Sequence, residues 1–295
     1  MCAIFGFLNY GNKINGTILK RLIKALSINA EVRGTDATGI SYIGNDGNIK
    51  VFKRPKPAHK VNLYFPLNTK CVIGHTRYTT QGNEKFNQNN HPFTSVNGFS
   101  LAHNGVINND IELRSMYNLP DSNIETDSYI AVQLLDRQPK LDFNAIKFMA
   151  ENLIGSFMIT ILNKDNTLYL VKGSNPICLY HLKSIGLYVY ASTEEILKNA
   201  LISCGLNCRY HKITMQEGDI LAINQLGKMV KEQFDVYPNY FLDDFYYEKL
   251  TYFEEYLEIF SKFGMSETEV YEYLDKGYTL EDIEDMLYQG GEIHV

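Results

Sequence analysis

The stretch Cys2-Ala3-Ile4-Phe5-Gly6-Phe7-Leu8 decides the reading of this chain. A short apolar run directly behind the initiator methionine reads as a β-strand, and removal of Met1, which small second residues generally permit, makes Cys2 its first residue. Thiol and α-amine then belong to one residue. An α-amine has a pKa of about 7.7–8.0, so a useful fraction is neutral at cellular pH and can accept the thiol proton, directly or through a water. Nucleophile and base are thereby supplied without a histidine. Taken alone the signal is weak, because a free cysteine most often serves as a small packing residue.

Outward from this strand, similar short runs recur at Gly39-Ile40-Ser41-Tyr42-Ile43, Lys70-Cys71-Val72-Ile73-Gly74, Phe157-Met158-Ile159-Thr160-Ile161-Leu162 and Leu187-Tyr188-Val189-Tyr190-Ala191. Asn45-Asp46-Gly47-Asn48 and Asn163-Lys164-Asp165-Asn166 carry hairpin chemistry, which predicts antiparallel pairing rather than crossover units. Between the strands, Ile18, Leu22, Ala25 and Leu26 share one helical face, as do Ile130, Ala131, Leu134 and Leu135. The expectation is antiparallel sheet covered by helices. From about Asp235 the texture becomes acidic and tyrosine-rich. Pro238 marks the junction, the segment 242–262 has helical spacing, and Ser266-Glu267-Thr268-Glu269 and Thr279-Leu280-Glu281-Asp282 resemble helix starts with capping boxes. The expected organisation is a main domain over 2–235 and a helical extension over 236–295.

With 295 residues and 45% hydrophobic content, the chain can bury a sizeable core as one large domain with a small appendage. A formal charge of −6 with scattered Lys and Arg disfavours nucleic acid as a partner. No stretch approaches the roughly 18 apolar residues of a membrane span, and no signal peptide is evident, so a cytoplasmic protein is expected. The five cysteines are an odd number that suits a reducing compartment without disulfides. Cys204, Cys208 and His211 hint at a metal site, but a second Cys/His pair is missing, and small packing residues are the favoured reading.

Four polar, glycine-punctuated segments carry candidate chemistry. They are Arg33-Gly34-Thr35-Asp36-Ala37-Thr38-Gly39; Gly74-His75-Thr76-Arg77-Tyr78-Thr79-Thr80-Gln81-Gly82, read as following a strand; Ala102-His103-Asn104-Gly105, read likewise; and Glu125-Thr126-Asp127-Ser128 at a helix start. Arg77 suits bidentate capture of a carboxylate with Thr79 and Thr80 beside it, or an ordinary surface ion pair. Asn104-Gly105 offers a side-chain amide donor beside an accessible backbone N–H, as an oxyanion hole needs; the same dipeptide is also the signature of a type I′ hairpin turn. Asp127 suits an ammonium or a helix cap. His75, His91 and His103 flank these segments, and the chemistry needs none of them as base.

In this order, Cys2-Ala3-Ile4-Phe5-Gly6, Arg33-Gly34-Thr35-Asp36, Gly74-His75-Thr76-Arg77-Tyr78-Thr79-Thr80, His103-Asn104-Gly105 and Thr126-Asp127-Ser128 resemble class II glutamine amidotransferases, in particular the glutaminase domains of glucosamine-6-phosphate synthase and amidophosphoribosyltransferase. The likeness continues through Glu217-Gly218-Asp219-Ile220 and spans roughly 2–233. It implies an α+β, four-layer αββα sandwich of antiparallel sheets with the small helical appendage at its C-terminus. It implies hydrolysis of L-glutamine to glutamate and ammonia, with Cys2 as nucleophile and its free amine as base, Asn104 and Gly105 as oxyanion hole, Arg77 on the α-carboxylate and Asp127 on the α-amine. Tyr78 and Thr80 fall at pocket-lining positions and Arg33 in a segment abutting the nucleophile. No cofactor or metal is implied. Ala3, where glycine is usual, is expected to add a methyl beside the nucleophile, and Gln81 stands where histidine is common. The roughly 60 residues of tail are too few for an ammonia-consuming domain, so a separate synthase or synthetase partner is expected. Two rival readings are an N-terminal-nucleophile amidase for another amide and a non-catalytic glutamine-binding regulatory module. Arg77 and Asp127 argue against the first, and the nucleophile and oxyanion set against the second.

Overall fold

β1 (Ala3–Asn9) is buried along its whole length, which places it inside a sheet with both faces covered. The computed structural model describes residues 2–206, 208–236, 256–257, 259–276 and 278–288. After β1 come α1 (Gly16–Asn29), β2 (Ala37–Ile43), β3 (Ile49–Arg54), β4 (Cys71–Arg77), β5 (Phe93–Thr94), β6 (Phe99–Ile107), α2 (Asp110–Met116), α3 (Tyr129–Asp136) and α4 (Phe143–Asn152). Then follow β7 (Gly155–Asn163), β8 (Leu168–Lys172), β9 (Cys178–Leu182), β10 (Leu187–Ala191), α5 (Glu194–Ser203), β11 (His211–Ile213), β12 (Asp219–Ile223), β13 (Met229–Gln233), α6 (Glu267–Asp275) and α7 (Leu280–Tyr288). The chain divides into two compact units, 1–236 and 237–295.

In the first unit, one sheet has the order β11-β9-β10-β1-β4-β2-β3 and the other β13-β12-β8-β7-β6-β5. The described pairings are antiparallel throughout, and both expected hairpins form. Gly47 (φ +75°) turns β2 into β3, and Asn166 (φ +63°) turns β7 into β8. Three apolar layers define the sandwich. Ile4, Leu8 and Ile73 of the first sheet meet Ala102, Met158 and Leu170 of the second. The outer face of the first sheet packs Phe5, Phe7 and Val72 against Leu19, Leu22, Ile23 and Leu26 of α1 and Leu197 of α5. The outer face of the second packs Leu101, Ile159 and Ile161 against Ile130 and Leu134 of α3 and Ile146 and Met149 of α4. Each Val, Leu, Ile, Phe or Met among these contributes about 1.5–3 kcal/mol of transfer free energy on burial. This is the αββα sandwich anticipated from the sequence.

Helix starts follow local chemistry. Asn15 accepts the Thr17 amide at the head of α1, Asp142 the Ala145 amide at α4, and Thr193 the Ile196 amide at α5. The second unit carries both anticipated caps. Ser266 and Glu269 form a reciprocal capping box at α6, and Thr279 and Asp282 bond reciprocally before α7. Phe260, Met265, Val270 and Ile283 form its apolar centre, with Tyr256 and Leu274 against it, while Phe263 is exposed. Of the helix expected over 242–262, residues 256–257 and 259–262 are helical, while 242–255 and 258, with the aromatics Phe241, Phe245, Tyr252 and Phe253, lie outside the described residues.

Candidate active site

Two of the polar segments, read from sequence as following a strand, begin inside one instead, while Arg33 to Asp36 precede β2 and Tyr78 to Gly82 follow β4 as expected. His75, Thr76 and Arg77 are the last residues of β4, and His103 to Ile107 lie within β6, where β7 pairs with them. Asn104-Gly105 is therefore no hairpin turn. Gly105 has φ +149°, and a Cβ there would stand 1.8 Å from the Ser156 carbonyl oxygen, so only glycine fits this distortion of a paired strand.

Cys2 lies beside the end of β4, since β1 and β4 pair from Ala3 opposite Thr76. The Tyr78 amide donates to Cys2 Sγ at 3.4 Å, and Sγ lies equally far from the Tyr78 carbonyl it can donate to. Arg33 Nε donates to the Cys2 carbonyl at 2.8 Å, which places that guanidinium on the backbone of Cys2 itself. Gly34 makes this approach possible: a Cβ there would meet the Arg77 carbonyl carbon at 2.4 Å. Ala3 belongs to the apolar cluster on the outer face of the first sheet, with Leu19 and Leu22 of α1. Burial is the largest influence on the Cys2 thiol and pushes its pKa up; the Tyr78 amide and the positive Arg77 oppose the rise, and Asp127 adds to it. With its pKa raised, the thiol holds its proton at neutral pH.

Arg77 is buried, and its guanidinium donates to Asn90 Oδ1 (2.8 Å), the Gln81 carbonyl (2.5 Å) and the Gly82 carbonyl (3.2 Å). These bonds engage three of its five N–H donors and fix the plane of the fork. Asp127 is buried too. Its Oδ2 accepts the Ile107 amide of β6 (2.7 Å), and its Oδ1 accepts the Ser128 amide (2.7 Å) and hydroxyl (3.0 Å). The carboxylate thus ties the head of α3 to the strand of Asn104 and Gly105 rather than capping the helix. Gln81 links the two anchors, since it offers its carbonyl to Arg77 and its Oε1 to the Asp127 amide at 3.2 Å. Tyr78 and Thr80 are exposed on the segment between them. Asn104 is 1% exposed, and its Nδ2 has no hydrogen-bond partner among the described residues, while its carbonyl accepts Asn175 Nδ2 at 2.9 Å. A buried amide donor without a partner is costly, and a site that offers one is prepared to receive an acceptor.

Sequence reasoning missed the supports. Asp36 accepts the Thr79 amide at 2.7 Å, and Glu125 accepts the Asn83 amide and Asn89 Nδ2, pinning the 78–83 segment to the Asp127 segment. His103 Nδ1 lies 2.8 Å from Ser128 Oγ, continuing the Asp127 bonds toward β6. His75 and His91 have ring centroids 4.2 Å apart, with His103 6.4 Å beyond His91. Burial drives all three below the ordinary imidazole range, His75 to about 3, so each is neutral at pH 7 and a weak proton acceptor. Their positions in separate motifs gave the only signal. Cys204 and Cys208 pack at the core beneath α5.

No family model matches the chain. Glutamine–fructose-6-phosphate aminotransferase [isomerizing] of Staphylococcus epidermidis is 36% identical over 188 residues, covering 60% of this chain and 30% of that protein. The Staphylococcus aureus protein of the same name is 36% identical over 189 residues, covering 61% and 30%. The chain therefore matches less than a third of the length of these relatives. Among solved structures, glutamine phosphoribosylpyrophosphate amidotransferase from B. subtilis, complexed with ADP and GMP, superposes with a TM-score of 0.61 at 20% identity, over 80% of this chain and 50% of that one. The allosteric regulatory enzyme of purine biosynthesis gives 0.60 at 22% identity over the same shares. These two likenesses concern the fold.

Proposed function

We propose that this chain, which resembles the class II, N-terminal-nucleophile glutamine amidotransferases, hydrolyses the side-chain amide of L-glutamine to glutamate and ammonia. The observation that carries the proposal is the buried Asn104 amide, unpartnered among the described residues, on a strand tied through Asp127 and Gln81 to the Arg77 fork, with Cys2 at the end of the neighbouring β4. The curated relatives supply the substrate in their printed name.

In the proposed reaction, removal of Met1 frees the Cys2 amine, which takes the thiol proton as Sγ attacks the amide carbon. This base is required because burial holds the thiol protonated. Asn104 Nδ2 and the Gly105 N–H receive the oxyanion, and the amine returns its proton to the departing ammonia. A water, deprotonated by the same amine, then cleaves the thioester and releases glutamate. Arg77 uses its remaining donors for the α-carboxylate, and Asp127 faces the α-amine, with Tyr78 and Thr80 at the rim. Arg33 fixes the Cys2 carbonyl and so orients the nucleophile. The glutaminase role belongs to residues 2–235, and the ammonia passes to a separate acceptor enzyme. Acid-quenched intact mass spectrometry tests the chemistry: the wild type with glutamine should gain one glutamyl group on Cys2, and Cys2→Ala none. Turnover in Cys2→Ala would refute the assignment.

A further inference from the structure

A second site stands at the opposite end of the first sheet. β11 is an edge strand, and His211 lies directly opposite His181 of β9, which is paired through Tyr188 of β10 to Leu8 of β1. Leu8 is six positions beyond Cys2, or about 20 Å along a strand, so this edge is separate from the thiol. Two adjoining cavities of about 360 and 630 Å³ open here and share His181, Lys183 and His211; Arg209 lines the first and Lys212 the second. Their sizes fall in the range of small-molecule sites, about 300–1,000 Å³.

The charge of this groove is opposite to that of the protein. The chain carries −6, yet the residues lining both cavities include two lysines, an arginine and two histidines and no carboxylate. Lys13 adds a further cation at the rim, with its Nζ on the Ser184 carbonyl at 3.2 Å. Lys212 is engaged by Glu194, whereas Lys183 and Arg209 make no ion pair among the described residues. The walls are built rather than loose. His181 stacks on Tyr188 at 4.0 Å and 13°, with the Tyr10 hydroxyl 2.8 Å from its Nε2. Tyr210, between Arg209 and His211, stacks on Tyr180 at 3.9 Å and 11°. Burial first, then the charges of Lys183 and His211, hold His181 below the ordinary imidazole range, the field expected where cations outnumber carboxylates.

We propose that this groove binds the phosphate of a small phosphorylated metabolite, with Lys183, Arg209 and His211 on the phosphate and the remainder of the molecule along Tyr188, Ile213 and Met229. A guanidinium and an ammonium from two segments that line one cavity suit a tetrahedral oxyanion, and the apolar residues Tyr188, Ile213 and Met229 suit the body of a small molecule rather than an extended polyanion.

The test is calorimetric titration of the full chain, without glutamine and at constant ionic strength, with inorganic phosphate, glucose 6-phosphate and glucose. Saturable binding of the ester, weaker binding of phosphate and none of glucose are expected. Free phosphate binding as tightly as the ester would overturn the metabolite assignment. In Lys183→Ala/Arg209→Ala, binding should weaken at least tenfold, while the melting temperature and glutamine turnover stay unchanged, because both side chains are exposed and distant from Cys2. Equal affinity in the double variant, a signal that chloride reproduces, or no saturation by about 10 mM, beyond the millimolar affinity that a few charged contacts supply, would each overturn the proposal. So would binding of an acidic peptide in place of phosphate compounds.

Discussion

Asn104→Ala separates catalysis from stability in a way few other substitutions here can. The Nδ2 amide is buried without a partner among the described residues, so folding already bears the desolvation of that donor, about 1–3 kcal/mol. Truncation to alanine relieves this cost and leaves a small void, whose penalty runs the other way; replacing a larger buried side chain by alanine costs about 2–5 kcal/mol in total. The backbone carbonyl keeps its bond from Asn175. The net change in folding free energy is therefore expected within about 2 kcal/mol, from the near cancellation of these two effects. Loss of one oxyanion donor, by contrast, lowers kcat by about 10²–10³, or roughly 2.7–4 kcal/mol of barrier. Glutamate release, followed with a coupled dehydrogenase, and urea unfolding should be measured on the same preparation. Asn104→Asp, which retains the shape but loses the donor, should lose at least as much rate. A fall in kcat below about fivefold, or less than 1 kcal/mol of barrier, would refute the oxyanion assignment. A collapse of stability with normal turnover per folded molecule would show Asn104 to be purely structural.

Arg77→Lys and Asp127→Asn should each raise the glutamine KM by about 10- to 100-fold, since a hydrogen bond to a charged group is worth about 1.5–3 kcal/mol, with smaller effects on kcat; an unchanged KM in both would remove the α-carboxylate and α-amine assignments. The neutral histidines predict acid sensitivity. His75 and His91 gain a proton near pH 6.5 when unfolded but not when folded, so stability is full above that pH and falls by about 1.4 kcal/mol per pH unit for each as pH drops toward 5. Urea unfolding at stepped pH should show this slope, His91→Phe should flatten it by one such increment, and a His75 or His91 imidazole titrating near 6.5 by NMR would contradict it. Gly105→Ala should fold poorly, because its Cβ would overlap the Ser156 carbonyl, and a normal melting curve would mean that the strand distortion is not required. Deletion of 237–295 should leave the melting transition of the first unit in place, because Phe260, Met265, Val270 and Ile283 form a centre of their own; aggregation of the truncated chain would oppose this.

The central strands were legible because β1, β4, β7 and β10 are dense in apolar residues, and α1 and α3 because their buried faces repeat at helical spacing. Edge strands β11 and β13 were not, since exposed residues such as Lys212 and Lys231 carry no apolar pattern. The Asn104-Gly105 reading shows where local rules stop. A dipeptide that favours a turn in isolation sits inside β6 because β7 pairs on one side of it and the Ser156 oxygen fills the space a side chain would need. Likewise Arg77 and Asp127 were visible as candidates, but the links through Gln81, Asn90 and Ser128 connect residues up to 46 positions apart and arise only when β4, β6 and the head of α3 converge. Polar support of this kind has no period to betray it.

The most direct test of the N-terminal mechanism is glutamine turnover measured beside the intact mass of the same sample, in chains that begin at Cys2 and in chains that keep Met1 or an added residue. Turnover confined to the Cys2-initiated form is expected, because only there do thiol and free amine share one residue. Equal turnover in a chain retaining Met1 would contradict the account.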